Sequence, residues 1–340
     1  MKPRTFITLG AALVAMLTPG CIHYNGWPMT NPPTYVKPDP PRKIDGGVSS
    51  VERVSYHGWK NALRMRNKMA EVVVVPEIGR VMSFRLRAGE NVFWEDHSLD
   101  GQRGDAGAKD WINFGGDKTW PAPESDWSKF TKRKEWRPPP AFDSLPVKVI
   151  VDGSDVMLTS PVDPFYGVRT TRRVHLYENI LQITTTYERI TGEPAKMGVW
   201  VITQFKDPVG VYVPVKTNSI FADGHFKFSP EPWPQLQRHG EHLVITRDPK
   251  TAHKMGSDVE QLIWVGEKEI CAVSSSRLPG GEYPDRGASA EVYTNPDPKK
   301  YIEIEMLGPL SLMKPGNRIS RTSVYTLSKR LKQNPDAELP

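Results

Sequence analysis

From about Val51 to the C-terminal end, apolar residues recur at every second position through one short run after another, including "MGVWVITQF", "GVYVPV", "HLVIT", "QLIWVG", "EICAVSSS", "SAEVYT", "KYIEIEML" and "TSVYTL". No stretch keeps an i, i+3, i+4, i+7 pattern for three turns. Side chains alternate between the two faces of a strand, so this period predicts half-buried β-strands rather than amphipathic helices. Turn chemistry separates the runs. "PEIG" and "RAGEN" divide "EVVVVPEIGRVMSFRLRAGENVFW" into three strands, and "RTTRRVHLYENILQITTTYERI" folds back at "YEN" as a hairpin. An open sheet of roughly fifteen strands would curl or split, so two packed antiparallel sheets are expected. No repeat of 20 to 50 residues recurs, which disfavours a propeller.

The longest region without such a run extends from Asp96 to Pro146 and contains "NFGGDKTWPAPESDW", Asn113 to Trp127. A connection of that length in a compact domain is usually functional or disordered, and its aromatic residues argue against disorder. Sugar recognition needs flat apolar faces for the C–H side of a pyranose and directional donors and acceptors for its hydroxyls. Asn113, Asp117, Lys118, Trp120 and Glu124 supply that mixture. Gly115 and Gly116 would let backbone approach a ligand, with Pro121 and Pro123 stiffening the contact strand. The same stretch would equally suit a loop whose indoles plug the sandwich edge while its charges face solvent.

The composition is globular: 38% of residues are apolar, 25% are charged, and the net charge of +6 is spread along the chain. No nucleic-acid partner is expected from such a distribution. Lys2 and Arg4, the apolar run "FITLGAALVAML" and then "TPGC" have the order of an export signal over residues 1–20. "LTPGC" resembles a lipoprotein box with Leu17 one step early, which makes Cys21 the candidate lipidation site. Residues 21–47 are Pro-rich and aperiodic, as in a semi-rigid tether. Residues 48–329 are left as the β domain and 330–340 as a polar tail. The expected location is the cell envelope, periplasm or outer membrane, with a lipid anchor to the membrane. The second cysteine, Cys271, reads as a buried apolar residue, so no disulfide framework is expected. His57, His97 and His175 lack metal-ligand spacing, and there is no HExxH, CxxC, GxSxG, P-loop or dinucleotide fingerprint. Neither a metal nor a cofactor is expected.

"VVVVPEIGRVMSFRLRAGENVFW" resembles the opening strands of galactose mutarotase-like proteins. "NFGGDKTWPAPE", "YERITGEPAKMGVWVITQ" and "AEVYTNPDPKKYIEIEMLGPLSLMKPG" resemble the DUF4380 branch of that superfamily, and the likeness spans about Ser55 to Leu327. It implies an all-β supersandwich of antiparallel sheets with a sugar cleft on one concave sheet. It also implies a general base at Glu305 in "YIEIEMLGPLSLMKPG", with Glu303 on the same face of the strand. An acidic, solvent-facing strand edge would read the same way. Phe114 stands where mutarotases carry a His before the Gly pair, and the strand matching their second His offers Trp200 and Gln204 instead. Lys118 or His225 would then have to replace the acid, and Arg80, directly after Gly79, could reach a hydroxyl or carboxylate. The expected function is a monomeric carbohydrate-binding envelope protein taking a mono- or oligosaccharide, as an epimerase or mutarotase-like enzyme with altered catalytic residues. The alternative is a non-catalytic glycan-binding or scaffold lipoprotein.

Overall fold

The computed structural model describes residues 49–108 and 110–338. The export signal, Cys21 and the tether lie outside the described residues. In chain order the strands are β1 Ser50–Tyr56, β2 Trp59–Arg66, β3 Ala70–Val75, β4 Arg80–Leu86, β5 Asp117–Ala122, β6 Lys148–Asp152 and β7 Asp155–Thr159. They continue as β8 Val168–Tyr177, β9 Ile180–Arg189, β10 Ala195–Lys206, β11 Gly210–Pro214, β12 Phe226–Lys227, β13 Leu236–His239 and β14 His242–Ile245. The last are β15 His253–Ser257, β16 Gln261–Val265, β17 Glu269–Ser274, β18 Ala290–Thr294, β19 Tyr301–Leu307, β20 Ser311–Met313 and β21 Arg318–Lys329. Two short helices, α1 Trp127–Thr131 and α2 Pro140–Asp143, follow β5.

All pairings are antiparallel and build two sheets. One runs β1-β2-β3-β4-β5-β10-β19-β18-β15-β12, with β20 on the far end of β10; the other runs β13-β14-β11-β16-β17-β21-β9-β8-β7-β6. The alternating runs of the sequence account for most of these strands. In the β8–β9 hairpin burial alternates residue by residue, and the chain reverses through Glu178 and Asn179 with Glu178 at φ +49°. That positive φ suits the two-residue turns whose twist matches the flanking strands.

Val72, Val74, Phe84, Phe93, Phe205, Ile302 and Ile304 of the first sheet pack between the layers against Val174, Ile183, Val273 and Tyr325 of the second. β3 is buried on both faces because Val73 and Val75 also pack outward, with Trp59, Met82 and Phe114. One expectation changes: the Asp96–Pro146 region is not strand-free, since β5 lies within it as a central strand of the first sheet. In the tail, residues Pro335–Glu338 form a 3-10 turn whose Asp336 accepts a 2.7 Å hydrogen bond from the Tyr212 hydroxyl.

Candidate functional site

The register of the central strands sets out the site. Ile202 of β10 lies opposite Lys118 of β5 on one side and Glu305 of β19 on the other, and Glu305 lies opposite Glu291 of β18. One residue pair along, Gln204 faces Glu303, which faces Tyr293, which faces Lys254 of β15. Neighbouring strands are about 4.8 Å apart, so Lys118 and Glu305 stand roughly 10 Å apart at the backbone with β10 between them. These side chains all leave the sheet on the face away from the inter-sheet core.

Diagonal contacts join the two rows. Lys118 Nζ lies 3.2 Å from Glu303 Oε1, which also accepts a 2.8 Å hydrogen bond from Gln204 Nε2. Lys254 Nζ lies 2.8 Å from Glu291 Oε2 and 2.9 Å from Glu305 Oε2, while Trp200 Nε1 donates to that same Glu305 oxygen at 2.8 Å. Burial moves these groups toward neutrality from both sides. It pushes the Lys118 ammonium down, with Glu303 opposing, and it pushes the carboxyls of Glu291 and Glu305 up, with Lys254 opposing. Lys254 goes the other way: burial alone would lower it, but Glu291 and Glu305 carry it well above the ordinary lysine value. Gln204 Oε1, fully buried, has no hydrogen-bond partner among the described residues. Half-buried Trp94 and Tyr293 flank the row, both in ring contact with Tyr301.

At the end of β5 a cluster of five tryptophans closes the sheet. Trp120 meets Trp111, Trp127, Trp136 and Trp200 edge-on, with ring centroids 5.3 to 5.9 Å apart. Trp120 Nε1 and Trp111 Nε1 both donate to the Asp143 carboxylate, which is buried on α2 and paired with Arg80 Nη2 at 2.8 Å. Lys118 Nζ sits 4.8 Å from the Trp120 ring centroid, a cation–π contact in a dry setting.

The structure gathers Lys118, Trp200, Gln204, Glu303 and Glu305 in one place, with Asn113 alongside through Tyr301, and it separates the other candidates. Asp117 has opposite parity to Lys118 and points between the sheets, where it pairs with Arg172 and accepts from the Thr203 and Tyr325 hydroxyls. A charged residue beside turn glycines reads as exposed, and only its place on a strand reverses that. Arg80 is likewise buried, on Asp143 and the Gly115 carbonyl, so it is committed to the fold. Trp120 is 3% exposed and sealed by its neighbours; the accessible indole is Trp136, 51% exposed, which donates to Glu124 Oε1 at 2.7 Å. His225 stays in its own turn, with Nδ1 3.1 Å from the Asp223 carbonyl oxygen. The Gly pair serves backbone packing, because a Cβ on Gly115 would lie 2.2 Å from the Trp94 carbonyl oxygen and one on Gly116 2.5 Å from that of Val81. Sequence reading missed Lys254, Glu291 and Asp143. Glu291 and Tyr293 in "AEVYT" carry the same one-face parity as Glu303 and Glu305 and could have been found that way.

Solved structures share this architecture at low identity. A galactose mutarotase-like protein from Lactobacillus casei superposes with a TM-score of 0.55 at 11% identity, over 79% of this chain and 100% of that one. A putative aldose 1-epimerase from Escherichia coli K12 gives 0.53 at 10%, over 83% and 100%. A TPR-domain containing protein from Parabacteroides distasonis gives 0.53 at 14%, over 78% of this chain, which spans about half (47%) of that longer protein. At these identities the likeness establishes the fold: a galactose mutarotase-like sandwich. No curated protein matches the sequence. The family described as "Domain of unknown function (DUF4380)" matches residues 61–255, more than half of the chain, and the protein belongs to that family.

Proposed function

We propose that the face carrying Lys118, Gln204, Glu303, Glu305 and Lys254 binds a carbohydrate, a mono- or oligosaccharide. The observation that carries this reading is Gln204: a fully buried amide whose Nε2 is spent on Glu303 while its Oε1 has no partner among the described residues. An unsatisfied buried acceptor is costly; Gln204 is 0% exposed and Lys118 and Glu305 1%, so a ligand hydroxyl would relieve it once the side chains covering the row move aside. Carboxylates, amide and ammonium beside Trp94 and Tyr293 are the polar and flat apolar elements that sugar recognition requires. Glycan-array screening followed by titration calorimetry of the best binder tests it. Gln204→Ala and Glu303→Gln should each weaken binding by about tenfold or more, the loss of one or two buried hydrogen bonds. Unchanged affinity in both variants would overturn the assignment.

A second reading, epimerase or mutarotase-like catalysis, is favoured by the opposed shifts of Lys118 and Glu305. Ring opening needs a base for the anomeric hydroxyl and an acid for the ring oxygen, each titrating near the working pH. Burial moves Glu305 and Lys118 in those directions. Polarimetry of freshly dissolved α-sugars separates the readings: Glu305→Gln should keep binding and abolish turnover if the protein is an enzyme, and no rate above buffer in the wild type leaves a binding protein.

We also place the chain at the cell envelope, on its basic, apolar and "TPGC" N-terminal order. Stable anchoring needs more than one acyl chain, as a lipidated first cysteine would provide. Cys21→Ser should move the protein from the salt-washed membrane fraction to the soluble exported fraction; equal partition of both forms would refute lipidation.

A further inference from the structure

The geometry points to a divalent transition-metal site formed by His57, His97 and Asp100, on the edge of the first sheet and separate from the carboxylate row. The two histidines are distant in sequence, yet their rings lie 4.9 Å apart at the centroids. Asp100 stands between them, with Oδ2 3.6 Å from His57 Nδ1 and Oδ1 3.3 Å from His97 Nδ1. One ligand atom from each of the three residues falls within a 4.8 Å group. Zinc bonds of about 2.0–2.2 Å put adjacent ligand atoms of a tetrahedron roughly 3.3–3.6 Å apart; each imidazole–carboxylate spacing has that length, though to a different Asp100 oxygen, so a bound ion would draw the ligand atoms of the 4.8 Å group together on one of them.

The segments that carry the ligands are held in place without any ion. His57 occupies the β1–β2 turn at φ +43°, a conformation unusual for a residue other than glycine. Gly58 follows at φ +88° and packs on Gly101, so closely that a Cβ on Gly58 would lie 2.9 Å from the Gly101 Cα. Trp59 Nε1 donates to the Gln102 carbonyl at 2.7 Å, a second tie between the same two segments. His97 and Asp100 share one 3-10 turn, capped by the Asp96 side chain through Ser98 N. The ligand geometry is therefore set by backbone packing on both sides of the cluster.

Two imidazoles with one carboxylate select zinc, nickel, cobalt or copper over magnesium and calcium, which prefer all-oxygen shells. Three protein ligands leave at least one position for water. An ion there would brace the loop that leads out of Trp94, which Lys299 already holds through a 2.8 Å ion pair with Asp96.

The test uses the purified full chain without a histidine tag, stripped with a chelator and titrated calorimetrically with Zn²⁺ and, in parallel, with Ca²⁺. Cobalt absorption reports coordination number. Zinc should bind at one ion per chain and calcium should not. His57→Ala and His97→Ala should each weaken zinc about tenfold or more, while His239→Ala, in a different part of the surface, leaves it unchanged. His57 and His97 are both exposed, so the variants should keep the wild-type circular dichroism. Absence of zinc binding, binding of equal strength in the His57/His97 double variant, or preference for calcium would each overturn the site.

Discussion

At the level of single residues, the buried acids beside Lys254 make the sharpest energetic statement. Glu291 and Glu305 lie on adjacent strands, at most 1% exposed, and share one ammonium. Burial holds both carboxyls above their ordinary range, Glu291 well above it, with Lys254 opposing in each case and like charge adding through Glu305 at Glu291 and through Glu303 at Glu305. A carboxyl raised by folding binds its proton more tightly in the folded state than in the unfolded one. Its contribution to stability is complete below the unfolded value near 4.3 and is lost as pH climbs through the folded value. Glu291→Gln removes one of the two titrations and keeps the volume. The variant should resist urea better than the wild type at pH 8, and the gain should vanish near pH 4.5. Urea midpoints at the two pH values measure it. A difference of the same size at both would show that the acids are not strained by charge. Strand parity places Glu303 and Glu305 on one face from the sequence, whereas their partners Lys118 and Lys254 come from strands distant in the chain and are found only through register.

Among the elements, the strands and hairpins were legible and the segment around β5 was not. "RTTRRVHLYENILQITTTYERI" alternates cleanly because β8 and β9 have one face in the core and one toward solvent. β5 is buried on both faces and reads "DKTWPA", with two charges, a proline and no alternation. Its neighbours supply what the pattern lacks. Asp117 is neutralised from the second sheet by Arg172 of β8, and Trp120 is enclosed by indoles from β10, α1 and the connecting loops. Polar residues can occupy a central strand only when such partners exist, and a local reading cannot see them. Of the two readings left open for the Asn113–Trp127 stretch, the plug holds for the tryptophans that close the end of the sheet and fails for the charges, since Lys118 and Asp117 are both buried, on opposite faces of β5. The same three-dimensional pairing joined His57 to His97, for which linear spacing gave no signal.

Taken whole, the molecule depends on one apolar layer between its two sheets, and Cys271 reports on that layer. It sits on β17, in the middle of the second sheet, paired with Trp264 of β16 and Leu327 of β21. The side chain is 0% exposed within the inter-sheet cluster, and burial pushes its thiol far above the ordinary range. The thiolate is the reactive form, so the group is shielded both sterically and by protonation. Strands at a sheet edge can fray without disturbing the centre, but β17 is covered on both sides by paired strands and above by the first sheet. Reagent should therefore reach Cys271 only when the sandwich opens as a unit. In a Cys21→Ser chain, labelling with a thiol-reactive chromophore at pH 8 should be negligible in native buffer, and with rising urea it should appear in step with the loss of β-sheet circular dichroism. Rapid, complete labelling while the dichroism is unchanged would mean that the centre of the second sheet opens locally, and that the two layers do not share one cooperative core.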